Sequence, residues 1–208
     1  MKKIMFTLLI FLMIFLIYYF NTNRNIYYTS LGDFISYGNN SYSNNINKHY
    51  KNKIDKYINI STDGDYRVTN LINDINNNKE IIVNKEKMKL KNILIKSNYI
   101  TLSIGMNDIL NKKNITYDYI DQLLNDIEKL FILIRKYNKD RIDYLSFYDV
   151  INNNELIEYT NKRLERLCKK NNINYIDISD LNNYILDTKI TDEGIIYITN
   201  QILNFTKK

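Results

Sequence analysis

Some of the side chains in this 208-residue sequence that could act as nucleophile or base stand in short clusters. Ser30 and Ser36 flank Gly32-Asp33-Phe34. Gly64 lies between Asp63 and Asp65, and Asn107-Asp108 follows Gly105-Met106. Asp187 stands two residues before Lys189. The one histidine is His49, within NNINKHYKNK, and the one cysteine is Cys168, within LERLCKK. A hydroxyl or thiol becomes a useful nucleophile only beside a base or with a lowered pKa. A single cysteine excludes an intramolecular disulfide framework and a cysteine-based metal site. Both His49 and Cys168 fall in helical patterns, where a surface imidazole and a packed thiol are the ordinary readings. Lys189 could serve as a base only if desolvation lowered its pKa substantially.

These clusters need elements to hold them, and the hydropathy pattern supplies a candidate set. Short apolar runs occupy residues 26–31, 57–60, 99–104, 141–147 and 173–178. Between them lie helical candidates at 42–56, 66–75, 85–95, 117–137 and 154–171, and a last one at 192–205 closes the chain. Leu123, Ile127, Leu130 and Ile134 have the spacing of a core-facing stripe, as do Leu156, Tyr159, Arg163, Leu164 and Leu167. Strands alternating with helices predict right-handed crossovers and a parallel sheet of about five strands, in a three-layer α/β/α, flavodoxin-like fold. Ligands of such open sheets bind at the carboxyl ends of the strands. That places a site in the loops after residues 31, 60 and 104 and in the segment leading into the last helix.

The motifs in those loops carry a family resemblance. YTSLGDFISYG (28–38) resembles the first block of SGNH/GDSL hydrolases, where a strand ends in Gly-Asp-Ser. DGDYRVTNLINDI (63–75) resembles the second block. ITLSIGMNDIL (100–110) resembles the third, Gly-x-Asn-Asp, and LDTKITDEGIIYITNQIL (186–203) the last. The four blocks occur in family order and cover nearly all of residues 26–208. The resemblance implies the three-layer SGNH fold and an ester hydrolase site. In that site a serine attacks the carbonyl, a histidine takes its proton, and an aspartate orients the imidazole. The oxyanion is held by the backbone N–H at the serine position, a glycine N–H and an asparagine amide.

Carried over residue by residue, the match is incomplete. Gly32 and Asp33 match the first block, but the nucleophile position is Phe34, which has no nucleophilic atom. Asn107 matches the oxyanion asparagine, with Gly105 and Asp108 as supporting residues. Gly64 is the candidate oxyanion glycine, although Asp65 could take that place. Asp187 matches the triad acid, and the histidine position, counted back from Gly194, falls on Lys189. Ser36 lies two residues past the nucleophile position and Ser30 before the turn, so neither is placed to substitute. Taken singly, Asp33 and Asn107 also suit helix or turn caps, and Asp187 suits an exposed pair with Lys189. The resemblance thus implies a catalytically impaired esterase homologue that binds an acyl, acetyl or cell-envelope carbohydrate group. The alternatives are an active esterase or deacetylase with a non-standard nucleophile, and a structural partner in a membrane complex.

Composition limits other classes. Abundant Asn, Ile and Lys with no Pro or Trp is what an AT-rich coding sequence gives, and a bacterium with such a genome is the expected host. The net charge is +6, but the lysines are interleaved with Asp and Glu, which argues against a nucleic-acid partner. No Gly-rich phosphate loop or cofactor motif appears, and no cofactor is expected. Residues 4–20, IMFTLLIFLMIFLIYYF, follow Lys2 and Lys3 and form an almost unbroken apolar run. About 17–20 such residues suffice for a bilayer-spanning helix. The run lacks a small-residue cleavage site, so residues 1–25 are expected to be an uncleaved signal anchor. The domain 26–208 would then face the extracytoplasmic side of the cell membrane.

Overall fold

The computed structural model describes residues 9–15, 26–62, 64–83, 85–186 and 189–205. Its strands are β1 (Tyr27–Gly32), β2 (Lys56–Ser61), β3 (Glu80–Val83), β4 (Glu86–Lys89), β5 (Tyr99–Ser103), β6 (Arg141–Leu145), β7 (Asn174–Ile176), β8 (Ile185–Leu186) and β9 (Lys189–Ile190). The helices of the domain are α1 (Tyr42–His49), α2 (Val68–Asn76), α3 (Leu90–Lys96), α4 (Met106–Leu110), α5 (Tyr117–Tyr137), α6 (Asn154–Lys170) and α7 (Asp192–Phe205). Five strands form one parallel sheet in the order β2-β1-β5-β6-β7. β1, β5 and β6 are buried along nearly their whole length, as expected of strands covered on both faces. The apolar runs of the sequence become these five strands, which is the expected α/β architecture.

The longest helix, α5, shows why periodicity sufficed there. Thr116 caps it by accepting the Tyr119 N–H at 3.2 Å. The expected stripe of Leu123, Ile127, Leu130 and Ile134 is buried, joined by Ile120, Leu124 and Phe131. On α6 the expected stripe is rotated. Leu156 and Leu164 are buried as expected, but Ile157, Thr160, Asn161 and Cys168 complete the inner face. Arg163 pairs instead with Asp121 of α5. Burial of Cys168 pushes its thiol up to about 12, so it is an inert packing group.

Two expectations are corrected. The helix expected over 42–56 ends at His49. The Asp55 N–H donates to the Ile26 carbonyl at 2.9 Å, and the Asp55 carboxylate accepts the Ile26 N–H at 2.6 Å. These bonds draw the chain into register with β1 before another helical turn can form. The helix expected over 85–95 is split, because residues 86–89 pair antiparallel with β3 as β4. Lys85, at φ +70°, has a left-handed backbone that no helix interior accepts. A second small antiparallel pair joins β8 with β9, where the apolar runs predict no strand.

The anchor expected over residues 4–20 lies mostly outside the described residues. Residues 9–15 are helical with exposed side chains. Among the described residues, no helix is long and apolar enough to cross a membrane.

Candidate functional site

The site begins where β1 and β5 come closest. A Cβ on Gly32 would meet the Ser103 carbonyl oxygen at 2.0 Å, so only glycine permits this approach. The Asp33 N–H then donates to the same carbonyl at 2.8 Å and ties the two strand ends together. A single 3-10 turn, Phe34–Ser36, follows, closed by the Ser36 N–H on the Asp33 carbonyl at 3.2 Å. Among the described residues the Phe34 N–H donates no hydrogen bond. Its ring is half-buried and packs against the core.

Neither nearby serine faces a ligand. Ser36 is fully buried, with its Oγ 2.5 Å from Ser103 Oγ. Ser103 Oγ in turn accepts from the Tyr42 hydroxyl at 3.3 Å. Ser30 is likewise buried within β1. These hydroxyls fill the space beneath the turn and stay out of the cleft above it.

Asp33 is 1% exposed, and neither of its carboxyl oxygens has a partner in bonding geometry. Burial pushes the carboxyl up to about 7. The Ile35 and Met106 amides hold it down only in part, and Asp108 adds to the rise. The side chain borders a space of about 10 Å³ together with Ser103 and Ser146, just large enough for one water.

The third block is built by Gly105, whose φ of +110° caps the short α4. Asn107 donates through Nδ2 to the carbonyls of Gly64, at 2.8 Å, and Tyr66, at 3.1 Å. A primary amide has two protons, and both are engaged. Asp108 Oδ2 accepts the Val68 N–H at 3.1 Å and so caps α2. Burial pushes its carboxyl up to about 6, with the Val68 amide opposing. Asp65, the alternative to Gly64, is an exposed carboxylate bound by Arg67 at 2.7 Å.

Asp187, the expected triad acid, lies outside the described residues. Lys189 is exposed on β9, paired across to Leu186 of β8. Ile190, beside it, packs beneath Gly194 and fixes the start of α7. Asp192 of α7 accepts from Asn40 at 2.5 Å, tying the last block to the loop after Phe34. His49 is exposed at the far end of α1, edge-on to Tyr50 at 4.8 Å between ring centres. Since α1 returns the chain toward the amino end of β2, its imidazole is on the side of the sheet opposite this site.

Phe34, Gly64 and Asn107 are brought together on one cleft of about 820 Å³. The loop after β6, which carries none of the four motifs, supplies Tyr148, Asp149, Val150 and Asn152 to the same cleft. Asn161 pins that loop by accepting the Phe147 N–H at 2.9 Å and donating to its carbonyl at 2.8 Å. Asp149 braces it by accepting the Ile151 and Asn153 amides at 3.1 and 3.0 Å. The rule that ligands bind at strand ends applied equally to β6 and was the available signal.

The sheet order is the flavodoxin-like one with a cleft at the strand ends, and the likeness to solved structures narrows it to the SGNH/GDSL hydrolase fold. Solved structures with this fold agree. An esterase from Pseudoalteromonas sp. superposes with a TM-score of 0.62 at 12% identity, over 88% of this chain and 97% of that one. A lipolytic protein of the G-D-S-L family from Desulfitobacterium hafniense gives 0.63 at 12%, over 86% and 99%. An acetylxylan esterase from Geobacillus stearothermophilus gives 0.62 at 10%, over 86% and 93%. No family model and no curated protein matches the chain by sequence. At these identities the likeness is one of fold.

Proposed function

We propose that this protein is a catalytically impaired member of the SGNH/GDSL esterase group that binds an acyl or carbohydrate group of the cell envelope without cleaving it. One observation carries the reading. The lining of the cleft contains Phe34 at the turn where an esterase needs its serine, and among the described lining residues there is no Ser, Thr, Cys, His or Lys. Among the described lining residues, no hydroxyl other than the buried phenol of Tyr148 and no imidazole is there to attack an ester or take a proton. The engagement of Asn107 with two backbone carbonyls supports the same reading, because its amide protons are not directed at a ligand.

The full chain should not hydrolyse p-nitrophenyl acetate or butyrate above the rate in buffer. Turnover that disappears in Ser36→Ala would overturn the reading in favour of an unorthodox esterase.

The apolar run at residues 4–20 supports an uncleaved anchor, with the domain from residue 26 onward on the extracytoplasmic face. The full chain should sediment with membranes and resist extraction by alkaline carbonate. Release of the intact domain by carbonate would contradict the anchor.

A further inference from the structure

The chemistry of the cleft narrows its ligand, given the reading above that it binds without cleaving. The chain carries a net charge of +6, yet no cation is among the described residues lining the cleft. Its two charged groups are carboxylates. Asp65 is neutralised by Arg67 at 2.7 Å, and Asp149 accepts backbone amides of its own loop. A second hollow of about 680 Å³ adjoins it, sharing Asp149, Asn154 and Asn182, and its wall carries Glu158, Glu165, Asp177 and Asp180. The one lysine there, Lys162, is paired with Glu158 at 2.6 Å. An anionic ligand, whether phosphate, uronate or fatty-acid carboxylate, would meet the carboxylates of Asp149, Glu165, Asp177 and Asp180 with no unpaired cation among the described lining residues.

The remaining polar groups are amides. Asn107 and Asn111 are engaged, with backbone carbonyls and with Asp65 respectively. The side chains of Asn152, Asn154 and Asn182 make no hydrogen bond among the described residues and are exposed to the cleft and solvent. They project from three separate segments: the loop after β6, the first turn of α6, and the 3-10 helix Ser179–Tyr184. A neutral amide both donates and accepts, which matches a hydroxyl group that does the same. An alkyl chain laid on them would desolvate three amides and return no bond. Phe34, half-buried at the cleft wall, adds aromatic surface suited to the apolar face of a sugar ring.

We infer that the cleft is a binding site for an uncharged glycan, with a sugar ring against Phe34 and its hydroxyls bonded to Asn152, Asn154 and Asn182. The volume, within the ~300–1,000 Å³ typical of sites that enclose whole small molecules, accommodates a short oligosaccharide.

Calorimetric titration of the full chain with four probes tests this: cellotriose and tri-N-acetylchitotriose as uncharged glycans, trigalacturonate as an anionic one, and octanoate as an acyl ligand. At least one uncharged trisaccharide should bind saturably at one site, with trigalacturonate and octanoate silent. Asn154→Ala combined with Asn182→Ala, both exposed and without a side-chain hydrogen bond among the described residues, should weaken it by about tenfold. Phe34→Ala is expected to weaken it comparably. If octanoate or trigalacturonate binds and the uncharged probes do not, the glycan inference falls while the non-hydrolytic cleft stands. Silence of all four probes, or unchanged affinity in the variants, also overturns the inference. Cleavage of p-nitrophenyl acetate would instead remove the reading on which it rests.

Discussion

Asn107 Nδ2 lies 2.8 Å from the Gly64 carbonyl and 3.1 Å from that of Tyr66, so the amide suited to an oxyanion is holding the loop before α2. The two acceptors also fix which end of the amide faces them. Asn107→Ala should therefore act on stability. Removing both donors from a buried position should lower the unfolding free energy by about 1–3 kcal/mol. A urea titration checks this, and a midpoint unchanged from the parent protein would show that the pair of bonds contributes nothing.

The substitution at Phe34 can be reversed experimentally. Phe34→Ser alone should leave p-nitrophenyl acetate hydrolysis at background, because no imidazole is among the described residues that line the cleft with it. Adding Lys189→His should raise the rate by about 100-fold or more, the usual contribution of a placed general base. Equal rates for the single and double variants would show that position 189 does not reach the turn.

Asp33 gives the fold a pH dependence of definite sign. Its carboxyl is raised by burial to about 7, so the folded state keeps the proton to higher pH than the unfolded chain does. The contribution is fully present below about pH 4, the unfolded value, and is lost as pH rises through about 7. Asp108, raised to about 6, acts in the same direction. Asp33→Asn should match the parent near pH 4 and exceed it by roughly 2–4 kcal/mol at pH 8. Thermal melts at both values decide it. Parallel curves for the two proteins would contradict a strained Asp33 carboxylate.

How far the sequence foretold this depended on where apolar residues fall. α5 was legible to the residue, because its stripe repeats every three or four positions. β1, β5 and β6 were legible as apolar runs because they are buried along nearly their whole length. The β3–β4 pair was not, since Glu80–Val83 and Glu86–Lys89 are largely exposed, and their charged residues fit a helix as well as a hairpin. Phe34, Gly64 and Asn107, distant in sequence, line one cleft. What motifs could not convey was bonding: nothing in Gly-Met-Asn-Asp says that the asparagine faces the backbone of residues 64–66. The amides at 152, 154 and 182 were similarly hidden in a chain where asparagine is common throughout.

Active-site labelling tests the central claim most directly, because it needs no knowledge of the substrate. A fluorophosphonate probe reacts with an activated serine whatever ester that serine normally attacks. The folded full chain, treated with excess probe and weighed intact, should show no adduct, while Phe34→Ser with Lys189→His should gain one. A stoichiometric adduct on any serine of the parent protein would contradict the account, since it would mean an activated serine nucleophile survives in this fold.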